Sequence, residues 1–151
     1  AKVQALKKEL SEITLQFETN IAQDKSFITA SSDELDGVSH DFIKGLEKNE
    51  QGQCIIKCNY PARAEIMQEC HNASVRERFY KAFQNRAYPV NASVMQAMIA
   101  KRDELAKMLG FESFAALNID SVMAKTPARA EQFLDELTDK IADKVERERI
   151  E

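Results

Sequence analysis

Residues 91–137 read NASVMQAMIAKRDELAKMLGFESFAALNIDSVMAKTPARAEQFLDEL. Two amphipathic helices are written there, separated by a Gly stop, a short apolar turn of helix and a Thr-Pro restart. In the first, Val94, Met95, Met98, Ile99, Leu105, Ala106 and Leu109 recur at helical spacing and draw one apolar stripe. Asn91 is placed to cap its start, and Lys107 sits where the dipole favours a cation. Gly110 can take the left-handed conformation that ends a helix, with Phe111 packing back on the last turn. At the restart Thr126 caps and Pro127 takes the first helical position, where its missing N–H costs nothing. Ala130, Phe133, Leu134, Leu137, Ile141 and Val145 are then expected as the buried stripe of the last helix, whose charge-alternating end suits solvent.

Working outward, residues 2–30 read as one long helix. Val3, Leu6, Leu10, Ile13, Phe17 and Ile21 form a narrow seam that wants a second helix beside it. Ser31 and Glu34 have capping-box spacing, Gly37 closes that turn, and Ser39 caps a short helix carrying Phe42, Ile43 and Leu46. Residues 47–53 (EKNEQGQ) are the polar loop. The following CIIKCN is the sole strand candidate, and a lone strand needs a partner, either in residues beyond the chain or in a second copy. Tyr60-Pro61 starts a helix with Ile66, Met67 and Cys70 inward. Ser74 to Glu77 reads as a capping box opening another, with Val75, Phe79, Ala82 and Phe83 on one face, ended by Tyr88-Pro89. The expectation is an all-α array of antiparallel helices with one short strand at most, forming a single segment over 1–151.

The chain has 151 residues and a net charge of 21 − 25 = −4. Hydrophobic content of 44% and charged content of 30% are globular values, so a real core is expected. Mild, well-mixed acidity lacks the basic footprint of nucleic-acid binding. No apolar run approaches the roughly 18 residues of a membrane span. The start, AKVQALKKEL, has no signal-peptide core and no initiator Met, as expected of a processed chain or one cut from something longer. Three cysteines, an odd number, argue against a disulfide framework and for a reducing, cytoplasmic setting.

No motif of chemistry emerges. His40 and His71 are the only histidines and neither is followed by Glu, so the His-Glu-x-x-His zinc helix is absent. Cys54, Cys58, Cys70 and His71 have the wrong spacing for a zinc knuckle, and adjacent Cys70 and His71 point about 100° apart on a helix. They read as thiols packed like small apolar groups. A Cys–His nucleophile built from Cys58 or Cys70 lacks any sign of an orienting third group. Arg102 interrupts an apolar stripe, so its stem must be buried and its head must find a carboxylate or carbonyl; a structural salt bridge is favoured over a ligand contact. The phenylalanines at 17, 79, 83, 111, 114 and 133 read as core. No catalytic or metal-ligating residue is assigned.

Four stretches taken in order resemble a family. LSEITLQFETNI (10–21) with SDELDGV (32–38), then CIIKCNYPARAEIMQECHNASVRERFYKAFQNRA (54–87), then AKRDELAKMLGFESFAALNIDSVMAKTPARAEQFLDEL (100–137) are similar to the zinc-dependent oligopeptidases of the thimet oligopeptidase and oligopeptidase A type, with their peptidyl-dipeptidase relatives. Val38-Ser39-His40 stands where that family more often has Leu-Pro-Glu. The resemblance implies a mostly helical parent several times longer, in which zinc-activated water attacks a peptide carbonyl. It places this chain in the non-catalytic N-terminal half, walling a channel that admits short peptides. Zinc, the peptide substrate and the rest of the parent polypeptide are its implied cofactor and partners. The family's metal helix has no counterpart here, so no family site residue carries over. The competing expectation is a stand-alone helical interaction module using the seam of residues 3–21. Either way, uncovered apolar surface is expected along that seam and near Ile55 and Ile56, with self-association as its relief.

Overall fold

A computed structural model describes residues 1–150 and shows seven helices and a two-stranded antiparallel sheet. The helical class follows the sequence patterning. The chain gathers into two compact units, Leu15–Val94 and Ala1–Thr14 with the chain from Met95 onward. The division falls inside α1 (Lys2–Ala22) and α5 (Val90–Met108).

The unit Leu15–Val94 holds the main core. α1 does not run to residue 30 as its seam suggested; it stops at Ala22, and Phe27–Ala30 is strand β1. The break lies at Asp24, whose carboxylate accepts from the Ser26 N–H at 2.8 Å and so competes with helical hydrogen bonding. Beyond it, Phe-Ile-Thr favours a pleated, half-buried surface. β1 is the missing partner of β2 (Cys54–Lys57), with Ile28 opposite Ile56 and Ala30 opposite Cys54. Neither a second copy nor further polypeptide is needed to pair CIIK. Ile56, expected to be uncovered, is fully buried, and Ile55 is half-buried.

The local signals between the strands are mostly as written in the sequence. Ser31 and Glu34 form the reciprocal capping box, at 2.9 and 3.3 Å, around the 3-10 turn Asp33–Leu35. Gly37 has φ +90°, and any Cβ there would collide with the Glu69 carbonyl and the His71 ring, so the turn and the segment near residue 70 meet backbone to backbone. Ser39 caps α2 (His40–Lys44). In the polar loop, Asn49 Oδ1 accepts from the N–H groups of Gln51 and Gln53.

Asn59 caps α3 (Tyr60–Ala64), which widens into a π-helical turn over Glu65–Glu69 and delivers Ile66 to the core. α4 (Ala73–Gln84) is capped by Asn72, through a 3.0 Å bond from the Ser74 N–H, and not by Ser74 itself. Asn is at least as good a cap as Ser and lies two residues earlier, so the helix starts there. α4 packs on β1 and on the π turn, burying Val75, Phe79 and Phe83 against Ile28, Leu35, Ile56 and Ile66.

Asn91 does not cap α5, because the helix begins at Val90. Its side chain is buried. It accepts from Asn20 Nδ2 at 2.7 Å and donates to the Phe17 carbonyl at 3.0 Å, so it ties α1 to α5 within this unit.

The second unit is thinner. Its buried side chains include Leu6, Met98, Leu105 and Ala106, and Lys101 bridges from α5 to Glu9 at 2.9 Å. On the expected stripe of α5, Met95, Ile99 and Leu109 remain exposed. The rest of the early seam, expected to be uncovered, is half-buried. Gly110 has φ +87° and the Phe111 N–H reaches the Ala106 carbonyl, which is the helix stop that the sequence writes. Ser113 caps α6 (Phe114–Ile119), and Thr126 caps α7 (Pro127–Ile150) through the Arg129 N–H at 3.2 Å.

The expected burial of the α7 stripe does not hold. Phe133 and Leu134 are each 59% exposed, and Leu137, Ile141 and Val145 are exposed with them. Amphipathic spacing says that a face is fit for burial; it does not supply the surface that buries it. Phe133 therefore leaves the set of core phenylalanines, while Phe79 and Phe83 are buried and Phe17, Phe111 and Phe114 are half-buried.

Candidate functional site

The residue types that could carry chemistry do not converge. Cys54 and Cys58 follow the inward alternation of β2 and its extension, and Cys70 ends the π turn; all three are free and buried. The Cys70 thiol points to the carbonyls of Glu34 (3.6 Å) and Asn72 (3.9 Å). Its neighbour His71 is exposed and pairs through Nδ1 with Asp36 at 3.1 Å. His40 is exposed at the start of α2. Among the described residues no three His, Cys, Asp or Glu side chains gather as a metal would need. The donor set therefore does not fit a zinc site. Nor does it make an activated nucleophile. Burial pushes the Cys58 thiol up, and Asp24 adds to this, outweighing the nearby Arg86 cation, so the reactive thiolate is disfavoured.

Two other side chains, not singled out by sequence reasoning, organise the polar edge of this unit. The Arg86 guanidinium lies 3.7 Å from the centroid of the Phe83 ring and 5.5 Å from that of Tyr60. It also donates to the carbonyls of Phe83 (3.0 Å) and Cys58 (3.3 Å). Arg63 approaches the Phe83 ring at 5.6 Å, and Tyr60 meets that ring edge-on. Asp24 accepts from the backbone of Ser26 and of Ala87, a residue at φ +59°. Burial pushes the Asp24 carboxyl up, but these hydrogen bonds and the Arg86 charge together hold it below its ordinary value. On another edge, Arg78 donates to the Thr29 carbonyl and to Glu34 at 2.7 Å. The Ser31 backbone N–H bond, reinforced by the Arg78 charge, holds Glu34 low. Arg86, Asp24, Arg78 and Glu34 each spend hydrogen bonds within the chain, so they brace the unit. For Arg86 and Asp24 the sequence signal is Asp24-x-Ser26, a local turn pair at the end of the seam.

Arg102, the candidate on the α5 stripe, lies over the Phe114 ring at 5.2 Å. Its head rests on an aromatic face, so the salt bridge expected for it is replaced by a cation–π contact.

The second unit carries a shallow apolar cleft of about 440 Å³ lined by Met123, Ala124, Arg129, Ala130, Phe133 and Leu134. It opens directly onto the bare stripe of α7. Met123 is 99% exposed at its rim. The cleft and the stripe have the character of a packing surface, without convergent polar groups.

Residues 66–151 match Peptidase family M3, more than half of the chain. The chain belongs to Peptidase family M3. Similarity extends beyond the matched region: the chain is 29% identical over 147 residues to a probable thimet oligopeptidase of Arabidopsis thaliana, covering 97% of this chain and 21% of that protein. It is 27% identical over 146 residues to saccharolysin of Saccharomyces cerevisiae (93% and 20%) and 26% identical over 154 residues to oligopeptidase A of Haemophilus influenzae (92% and 23%). The chain thus spans about a fifth of the length of these relatives. Among the described residues no helix is long and apolar enough to cross a membrane.

Proposed function

We propose that this chain is a non-catalytic helical segment, 1–151, of a cytoplasmic zinc-dependent oligopeptidase that hydrolyses short peptides, and that it forms part of the wall of the substrate channel. One observation carries the reading. The chain aligns almost end to end with oligopeptidases, yet its sequence contains no His-Glu-x-x-His and its thiols and imidazoles lie scattered. Zinc and the residues that use it then belong to polypeptide outside these 151 residues, and the helices here contribute shape. The internally braced polar edge and the packing character of α7 support this, because a wall needs rigidity and joining surfaces more than reactive groups.

Two measurements test the proposal. The purified chain, supplied with zinc and a short quenched-fluorescence peptide, is expected to give no turnover. Metal-dependent turnover that titrates with this chain overturns the non-catalytic reading. The reading frame continued past Glu151 is expected to encode His-Glu-x-x-His. A stop codon there instead supports a stand-alone interaction module and overturns the channel-wall reading.

A further inference from the structure

We draw no further inference here: the strongest candidate, the bare apolar stripe of α7 with the cleft beside it at Ala130 and Phe133, carries nothing because nothing in the structure shows what covers it.

Discussion

Asn91 offers the sharpest test of how the Leu15–Val94 unit holds its helices, because it is a buried amide whose two hydrogen bonds both cross from α5 to α1. Asn91→Ala removes an acceptor from Asn20 and a donor from the Phe17 carbonyl. At about 0.5–1.5 kcal/mol net per bond, the loss is expected to be about 1–3 kcal/mol. Asn91→Asp keeps the shape and separates the two bonds by pH. Protonated, the carboxyl still accepts from Asn20 and donates its O–H to Phe17; ionised, it has no donor and sets a charge against a carbonyl in a buried place. Its folded-state pKa is therefore raised above the ordinary value of about 3.9. A raised carboxyl pKa means stability that is whole below the unfolded value and lost as pH climbs through the folded one, by about 1.4 kcal/mol for each unit between the two. Urea unfolding followed by far-UV circular dichroism between pH 3.5 and 8 measures this. With a urea slope of about 1–3 kcal/mol/M, a 2 kcal/mol loss moves the midpoint by about 1 M. An Asn91→Ala chain as stable as the parent, or an Asn91→Asp penalty that does not change with pH, would refute the assignment of Asn91 as a buried tie.

Two further expectations concern backbone and charge. Gly37→Ala combines positive φ with a collision at Glu69 and His71, so a loss of at least about 2 kcal/mol is expected. Gly52→Ala, at φ +77° in open space, should cost only about 1 kcal/mol, and equal effects would contradict the close approach. Asp24 is held low in the folded state, so its contribution is present above its unfolded pKa and fades as pH falls through the folded one. Asp24→Asn should flatten the acid limb of the stability profile and cost up to about 1 kcal/mol at pH 7, the value being kept small by solvent screening.

Local punctuation was legible in the chain because its causes are local. Ser31 with Glu34, Ser39, Gly110 with Phe111, and Thr126 with Pro127 act through neighbours within about one turn, and the sequence carries both halves of each device. Family membership was legible because it rests on the order of such devices. What failed depended on distant partners. β1 was hidden inside a helical seam because its apolar residues satisfy both periods over so short a run, and only its pairing with β2 decides between them. Asn91 has the composition of a cap, and only the approach of α1 turns it into a tie. Arg86 stands among ordinary helix-end residues until Phe83, Tyr60 and the Cys58 carbonyl converge on it.

Phe79 and Leu137 show how far one kind of reading reaches. Each lies on an apolar helical stripe, and the sequence places both stripes in a core. Phe79 is fully buried because β1, β2 and the π turn fall within the same eighty residues as α4 and present a facing surface. Leu137 is 42% exposed because no such surface faces α7 among the described residues. The free energy that favours burial is similar in kind at both positions, since it scales with apolar area and not with sequence context. The difference lies in supply. A bare stripe on a helix this long is therefore a demand for a facing apolar surface, which the described residues do not supply.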